Sequence, residues 1–285
     1  MAPSTQAKRH IVCLTFDFDA MSGFVARGLV SPTPISRGEF GAIAVPRILD
    51  LLARYNIRAS FFIPGVVIGT YPKICEQIVK AGHEIGHHGW THVTPASLSK
   101  AQEQEALEKG NRAIRKLTGK LARGYRSPAW DLSAHTVELL LKHKFLYDSS
   151  MMGDDYTPYF CRRGDRVDKN GPMKFGRPTS LVQMPISWSL DDYPHFEFLR
   201  TSEFVLPGLQ NGSGVLENWI DDFLYMKKTE SWGVLTYTFH PYVIGRGHRM
   251  LVLERLIERL AAEGAEFRTM ASVAAEWHAA HPLKA

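Results

Sequence analysis

Short apolar runs alternate with amphipathic helical patterns along most of this 285-residue chain. Several runs are rich in β-branched and aromatic residues and are bounded by Gly or Pro, which favours buried strands. Alternation of strand and helix is typical of parallel βαβ units, in which each helix crosses back over the sheet. The predicted strands are residues 10–16, 59–64, 83–86, 145–147, 181–186 and 233–239.

The segments between the predicted strands carry apolar residues at helical spacing. In residues 46–55, Ile48, Leu52 and Tyr55 lie on one apolar face, and Pro46 suits a first helical turn. The other predicted helices are residues 100–117, 134–143, 215–228 and 250–263. We therefore predict an α/β fold in one domain over residues 1–285, with the strands in a single layer or a barrel.

Two regions show neither pattern and are predicted to be irregular. Residues 20–44 follow the first predicted strand, and residues 149–180 are rich in Gly, Asp, Pro and charged residues. A loop as long as the second region usually forms a lid, a binding loop or an interface element. In parallel α/β folds the active site gathers at the carboxyl ends of the strands, so the residues there are the candidates for chemistry.

The composition indicates a globular protein and argues against several classes of partner. The formal charge of +5 comes from basic residues mixed with nearly as many acidic ones, so we expect no nucleic-acid partner. The segment MAPSTQAKRHIVCLTFDFD lacks the order of a secretion signal, and no apolar run approaches the roughly 18 residues of a membrane helix. Cys13, Cys75 and Cys161 form no disulfide or metal-binding pattern. These features predict a cytoplasmic protein without a membrane partner.

Two carboxylates follow the first predicted strand, which ends in TFDFDA. Alternation along an extended chain sends the side chains of Asp17 and Asp19 to the same face. Two converging carboxylates repel each other unless a cation or a shared proton relieves the repulsion. This end of the strand is therefore a candidate site.

Three histidines lie close together in GHHGWTH, directly after the predicted strand 83–86. On a helical turn the four-residue spacing of His88 and His92 places both imidazoles on one face, whereas His87 points elsewhere. Two imidazoles and a carboxylate with an open position for water form a common catalytic zinc site. The spacing alone fits solvated histidines of a surface turn equally well. Asp19 favours the metal site, because it supplies a third ligand.

Further candidates follow later apolar segments. His240 lies in LTYTFHP, and Arg126 and Trp130 lie in RGYRSPAWD. A single histidine at the end of a strand is more often structural than catalytic, and a tryptophan fits either a pocket wall or the core. Arg126 is suited to orienting a carboxylate through a bidentate pair.

The ordered motifs TFDFDA, GHEIGHHGWTH, GYRSPAW and TFHP resemble those of the polysaccharide deacetylase (NodB-homology) superfamily, also called carbohydrate esterase family 4. The resemblance extends from residue 10 to about residue 270. It implies a distorted (β/α) barrel with about seven parallel strands. It also implies that Asp17 is the base carboxylate, that Arg126 holds this carboxylate and that His240 is catalytic. The implied metal ligands are Asp19, His88 and His92.

Departures from the common pattern point to one branch of the superfamily. Common deacetylases have two adjacent aspartates followed by glycine, whereas Phe18 separates the aspartates here and Ala20 follows. Together with SRGEFGAIAVPRILDLL, YDSSMMGDDYTPY and SWSLDDYPHF, this resembles the branch of allantoinase-like proteins, cyclic imide hydrolases and divergent peptidoglycan deacetylase homologues. The resemblance implies small cytoplasmic substrates and a homotetramer. Some allantoinase-like members work without metal, but the three ligand residues present here predict Zn²⁺ or another divalent metal.

The sequence thus predicts a metal-dependent hydrolase of carbon–nitrogen bonds that acts on a small cyclic imide or amide, such as a hydantoin or succinimide. In this hypothesis Asp17 takes a proton from water and His240 protonates the departing nitrogen. Trp130 and Trp188 would enclose a compact substrate, although core packing explains either tryptophan equally well. The alternatives are an N-deacetylase of acetylated sugars or peptidoglycan and a non-enzymatic carbohydrate-binding relative.

Four further charged residues are weaker candidates for the site. Asp191 and Asp192 follow Trp188, and we favour helix capping over a pocket role for them. Arg37 and Glu39 lie on the first irregular segment, within reach of the pocket mouth, but no local feature requires them there.

Overall fold

A curled, mostly parallel sheet organises the chain in a computed structural model that describes residues 8–200 and 203–283. The strands are β1 (Arg9–Asp17), β2 (Ser60–Ile63), β3 (Glu84–His87), β4 (Gly124–Tyr125), β5 (Tyr147–Asp148), β6 (Tyr159–Arg163), β7 (Arg177–Gln183), β8 (Leu199–Arg200), β9 (Val205–Leu206), β10 (Trp232–Phe239) and β11 (Glu266–Phe267). The strands β8 and β9 form a separate two-stranded ribbon. All the other strands belong to the main sheet.

The order of the main sheet is β10-β1-β2-β3-β4-β5-β7-β6, and β11 also pairs with β1. The first seven strands of this order run parallel, while β6 is antiparallel to β7 at one edge. An isolated parallel bridge joins Asp191, after β7, to Thr238 of β10. This arrangement confirms the predicted distorted barrel with about seven parallel strands.

Helices connect the strands and cover the sheet. They are α1 (Ser22–Ala26), α2 (Pro32–Arg54), α3 (Gly65–Thr70), α4 (Pro72–Lys80), α5 (Lys100–Thr118), α6 (Thr136–Lys142), α7 (Asp192–Phe196), α8 (Gly212–Thr229), α9 (Pro241–Ile244), α10 (Gly247–Ala262) and α11 (Met270–Ala280). The helices predicted over 100–117, 134–143, 215–228 and 250–263 correspond to α5, α6, α8 and α10.

The prediction that residues 20–44 are irregular is wrong, because most of them belong to α1 and α2. Pro46 consequently lies inside α2, and the first turn begins at Pro32. The early part of α2 packs closely on the segment after β1: a Cβ atom on Gly38 would lie 2.5 Å from Met21 Cα. Tertiary packing at Gly38 therefore stabilises a part of α2 that the local sequence does not predict.

The region 149–180 is only partly irregular. The antiparallel pair of β6 and β7 occupies Tyr159–Arg163 and Arg177–Gln183, so the predicted strand 181–186 begins earlier and ends earlier than expected. The two-residue strand β4 was not predicted, and the two-residue strand β5 is shifted by one or two residues from the predicted strand 145–147. Such short strands depend on their neighbours in the sheet rather than on local apolar periodicity.

Alternation along β1 separates two environments. Val12, Leu14 and Phe16 belong to the larger apolar cluster of the core. Ile11 and Cys13 belong to a second cluster on the other face, which includes residues of α11. Because the period of a strand is two, Asp17 continues this second face toward the carboxyl end of β1. The carboxylates thus stand above an apolar, closely packed base.

Within the described ranges, no helix combines the length and the apolar character that a membrane crossing requires. Of the N-terminal segment in which we found no secretion signal, residues 1–7 lie outside the part of the chain that the structure describes.

The buried histidine His83 should make folding stability depend on pH. Its Nδ1 accepts the backbone N–H of Ala59 at 3.0 Å, and burial, aided by the nearby charge of Arg58, lowers its pKa to about 4. Between pH 6.5 and 4 the unfolded chain binds a proton that the folded chain does not, so stability falls as the pH falls. Between pH 6.5 and 4, the free energy of unfolding measured with urea should fall by about 1 to 2 kcal/mol less in His83→Asn than in the wild type.

The exposed His248 of α10 provides the matched control. The His248→Asn protein should follow the wild-type profile of stability against pH. An unchanged pH profile in His83→Asn would show that His83 is not the titrating group.

Candidate metal and catalytic site

The carboxyl ends of four strands bring the predicted site residues together. Because these strands run parallel in one sheet, the residues that follow them share one edge. Asp17 ends β1 and Asp19 lies two residues later, while His88, Arg126 and His240 directly follow β3, β4 and β10. The Arg126 N–H donates to the His87 carbonyl at 2.9 Å, which prolongs the pairing of β3 and β4 into the site.

Asp19, His88 and His92 offer three ligand atoms that all lie within 4.8 Å of one another. Asp19 Oδ1 is 3.3 Å from His88 Nε2, and Asp19 Oδ2 is 3.2 Å from His92 Nε2. His88 Nδ1 donates to the Arg126 carbonyl at 2.7 Å, which leaves Nε2 with its lone pair toward Asp19. Asp19 Oδ1 is buried and has no hydrogen-bond partner among the described residues. A buried carboxylate whose two oxygens each face an imidazole fits a divalent cation.

Electrostatics favour the ligand forms of these side chains. Burial alone would raise the pKa of Asp19, but His92 and His88 outweigh it and hold that pKa below its usual range. Burial lowers the pKa of His88, although Asp17 and Asp19 oppose the shift. An ionised carboxylate and a neutral imidazole are the states that bind a metal.

The route by which the two histidines meet differs from the prediction. We expected a helical turn, but residues 88–92 form a loop in which Gly89 has φ 74° and His92 has φ 60°. These left-handed conformations reverse the chain, so the two rings still approach, with centroids 4.9 Å apart. The four-residue spacing therefore led to the expected proximity through an incorrect local geometry.

Asp17 is held by a buried ion pair with Arg126. Arg126 Nη1 donates to Asp17 Oδ1 at 2.8 Å and to Thr15 Oγ1 at 2.8 Å, while Nη2 donates to Ser149 Oγ at 3.0 Å. Its guanidinium also lies 4.2 Å from the centroid of the Phe62 ring. The other oxygen, Asp17 Oδ2, lies 3.8 Å from His88 Nε2 and faces the metal-ligand group.

His240 is oriented by a carboxylate that we had assigned to helix capping. Asp192 Oδ1 accepts from both the backbone N–H of His240 at 3.0 Å and its Nδ1 at 2.8 Å. Asp191 Oδ1 does cap α7 by accepting from Tyr193 N at 2.7 Å, and it lies 3.6 Å from His240 Nδ1. The capping interpretation thus holds for Asp191 and is wrong for Asp192.

The two aspartates change the acidity of His240. Burial alone would lower the pKa of His240, but Asp191 and Asp192 outweigh burial and raise it well above the ordinary value. The ring therefore holds a proton readily, with Nδ1 bonded to Asp192 and Nε2 lying 3.8 Å from Asp19 Oδ2.

Aromatic side chains enclose the remaining side of the site. The rings of Trp130 and Trp188 are stacked with centroids 4.1 Å apart, and both line a cavity of about 70 Å³ beside Asp19. Trp188 is 42% exposed, so core packing does not explain it, whereas Trp130 is buried. Ala129 and Trp130 have φ 55° and 54°, an unusual conformation for residues with side chains. The backbone at this position is thus shaped to place the Trp130 ring.

Three predicted neighbours lie away from this cavity. His87 is buried, with Nε2 donating to the Leu107 carbonyl at 3.0 Å and Nδ1 accepting from Gly89 N at 3.1 Å, so it has a structural role. Arg37 forms an ion pair with Glu197. Neither Arg37 nor Glu39 lines the cavity beside Asp19.

Sequence reasoning missed several residues that line the same cavity, namely Arg27, Tyr193 and Tyr242. Tyr242 is two residues after His240, so its position after β10 is a signal that could have found it. Arg27 and Tyr193 lie on segments whose course depends on long-range packing, and no local pattern marks them.

Comparison with known proteins identifies the family. A family model described as polysaccharide deacetylase matches residues 5–147. A Helicobacter pylori protein named peptidoglycan deacetylase is 36% identical over 292 residues, covering 98% of this chain and 99% of the relative.

The chain belongs to the polysaccharide deacetylase family.

Solved structures agree with this polysaccharide deacetylase fold. A Mycobacterium smegmatis structure assigned to the polysaccharide deacetylases has a TM-score of 0.84 at 28% identity, covering 99% of this chain and 95% of that one. An allantoinase structure has a TM-score of 0.78 at 23% identity, covering 98% and 94%, and this likeness concerns the fold alone.

Membership in the polysaccharide deacetylase family makes the protein a hydrolase of carbon–nitrogen bonds other than peptide bonds. Members of this family typically depend on a divalent metal. The buried, unpartnered Asp19 Oδ1 and the two neighbouring imidazoles fit that requirement. Asp19, His88 and His92 are the residues that would hold the ion.

Removal of one predicted ligand tests this assignment. We expect near-stoichiometric metal in the purified, zinc-loaded wild type and little in His88→Ala, because the remaining two ligands bind a divalent ion weakly. Elemental analysis measures the metal, and added zinc should raise the melting temperature of the wild type but not of His88→Ala. His248→Ala, which removes an exposed histidine, should behave as the wild type. Equal metal in all three proteins would contradict the assignment.

Proposed function

We propose that this member of the polysaccharide deacetylase family opens a small cyclic imide or amide, such as a hydantoin or a succinimide, in the cytoplasm. The observation that carries this proposal is the narrowness of the cavity. The stacked Trp130 and Trp188 leave a cavity of about 70 Å³ beside Asp19, which suits a compact ring better than a polymer.

Asp17 is proposed to be the general base. Arg126 donates to its Oδ1, so Oδ2 is the atom available to accept a proton beside His88. A divalent ion, when bound by Asp19, His88 and His92, supplies Lewis-acid activation of water and of the substrate carbonyl.

His240 is proposed to be the general acid. Its Nδ1 donates to Asp192, so Nε2 is the atom directed toward the cavity and able to donate a proton to the departing nitrogen. The negative charge of Asp192 stabilises the protonated ring in the same way that a buried carboxylate orients a catalytic histidine elsewhere. The proposed base, Asp17, is thus held by the Arg126 guanidinium, and the proposed acid, His240, is held by the Asp192 carboxylate.

N-deacetylation of a sugar or a peptidoglycan fragment is the second candidate. It is favoured by the relative named peptidoglycan deacetylase, which is 36% identical across nearly the whole of both chains. An acetamide presents the same carbonyl and nitrogen to the site as an imide does. A long polymer, however, would require an open groove in place of the Trp130 and Trp188 stack.

A homo-oligomer, expected to be a tetramer, is also part of the proposal. Val167, Phe175 and Leu209 are apolar side chains that are largely exposed, and burial of such residues between subunits would be favourable.

Replacement of the proposed base should separate metal binding from turnover. Asp17→Asn should retain the metal content of the wild type but lose about 100- to 10,000-fold in kcat, because asparagine cannot accept the proton. Asp50→Asn, which changes an exposed aspartate of α2, is the charge-matched control. Retained turnover in a folded Asp17→Asn protein would remove Asp17 from this role.

A substrate panel distinguishes the two candidate reactions. One zinc-loaded preparation is incubated with succinimide, hydantoin, allantoin and N-acetylated chitooligosaccharides, with Asp17→Asn as the control for contaminating activity. We expect ring opening of at least one imide without release of acetate from the sugars. Acetate release with no ring opening would replace the first candidate by the second.

A further inference from the structure

Arg27 is an exposed cation on the wall of the cavity that holds Asp19 and His92. It directly follows α1, and its Nη1 donates to the carbonyl of Gly23, four residues earlier, at 3.1 Å. Among the residues that the structure describes, no carboxylate lies within 4.0 Å of this guanidinium to form an ion pair. Since a guanidinium has five N–H donors, most of those of Arg27 are free for a ligand.

Other arginines close to the site are engaged by protein groups. Arg126 is bonded to Asp17, and Arg37 is paired with Glu197. Arg249 donates to the backbone carbonyls of Val243 and Phe196. Arg27 differs from these three because its hydrogen bond to the Gly23 carbonyl stays within its own helical segment and does not connect it to another element.

The space between Arg27 and the metal-ligand group is kept open by Gly23. A Cβ atom on Gly23 would lie 3.5 Å from Arg27 Nη1 and 3.7 Å from His92 Nδ1. The guanidinium and the His92 ring therefore face one small gap, which a longer side chain at residue 23 would fill. A ligand group that binds Arg27 across this gap lies beside the predicted reaction centre.

The charge of Arg27 also affects two phenols that line the cavity, Tyr193 and Tyr242. Burial raises the pKa of Tyr193, and the positive charge of Arg27 is the strongest influence that opposes it. Burial raises the pKa of Tyr242 as well, and Arg27 again opposes the shift. Both phenols line the cavity, so the cation acts on the space that a substrate would occupy.

We propose that Arg27 selects substrates that carry a carboxylate next to the ring or amide that is hydrolysed. A guanidinium matches a carboxylate through two parallel N–H···O bonds, and an exposed arginine without a protein partner has little internal pairing to give up. The substrate class is thus a small cyclic imide with one anionic substituent. This inference rests on the proposed hydrolysis of small rings and adds the charge of the substrate.

Binding of a hydrolysis-resistant pair of lactams tests the inference without turnover. Pyrrolidone-5-carboxylate carries the anionic substituent, and 2-pyrrolidone is the same ring without it. Calorimetry with the zinc-loaded wild type should show that pyrrolidone-5-carboxylate binds at least roughly tenfold more tightly than 2-pyrrolidone does. Arg27→Gln should weaken the binding of pyrrolidone-5-carboxylate by roughly 10- to 100-fold and leave the affinity for 2-pyrrolidone unchanged. Arg27→Lys should keep part of the preference for the carboxylate.

Arg112→Gln, which removes an exposed arginine of α5, controls for the change in net charge and should match the wild type. Equal affinity of the wild type for both lactams, absence of binding by either, or a preference that survives in Arg27→Gln would overturn the inference. The outcome is distinct from that of the substrate panel: a protein that opens no imide but needs Arg27 to bind the carboxylate contradicts the proposed reaction and supports the inferred recognition.

Discussion

The buried ion pair between Arg126 and Asp17 is the interaction on which the arrangement of the site depends. Arg126 is 0% exposed and Asp17 is 1% exposed, so neither charge is stabilised by water. Loss of either partner would leave the other charge buried and uncompensated, which typically costs about 3 to 5 kcal/mol. The remaining donors of the guanidinium are satisfied by Thr15 Oγ1, by Oγ and the carbonyl of Ser149, and by the sulfur of Met270.

Arg126 also fixes the orientation of the His88 ring. Its backbone carbonyl accepts from His88 Nδ1, while its side chain fixes Asp17. One residue after β4 therefore determines both which nitrogen of His88 faces Asp19 and which oxygen of Asp17 remains free. The predicted metal ligand His88 and the proposed base Asp17 are thus both positioned by Arg126, an arrangement of the kind that preorganises a catalytic site.

The sequence predicted those parts of the site that depend on the period of a strand and on the parallel arrangement of the strands. The convergence of Asp17 and Asp19 followed from the period of a long strand, and the parallel order of the strands placed His88, Arg126 and His240 at the same edge. The bond from Asp192 to His240 could not be derived in this way. The two residues are 48 positions apart, and the chain after β7 must first reach β10 through the bridge of Asp191 and Thr238. Likewise, the early half of α2 depends on the contact of Gly38 with Met21, which no local pattern contains.

The segment between β7 and α7 carries two parts of the site with different tasks. Trp188 forms the outer wall of the cavity, and Asp191 and Asp192 follow within four residues to cap α7 and hold His240. A shift of this short segment would change the cavity wall and the orientation of His240, the proposed proton donor, at the same time. If the proposed roles hold, the size of the substrate and the delivery of the proton are linked along one stretch of backbone, and a larger substrate accommodated at Trp188 would also alter the proposed acid.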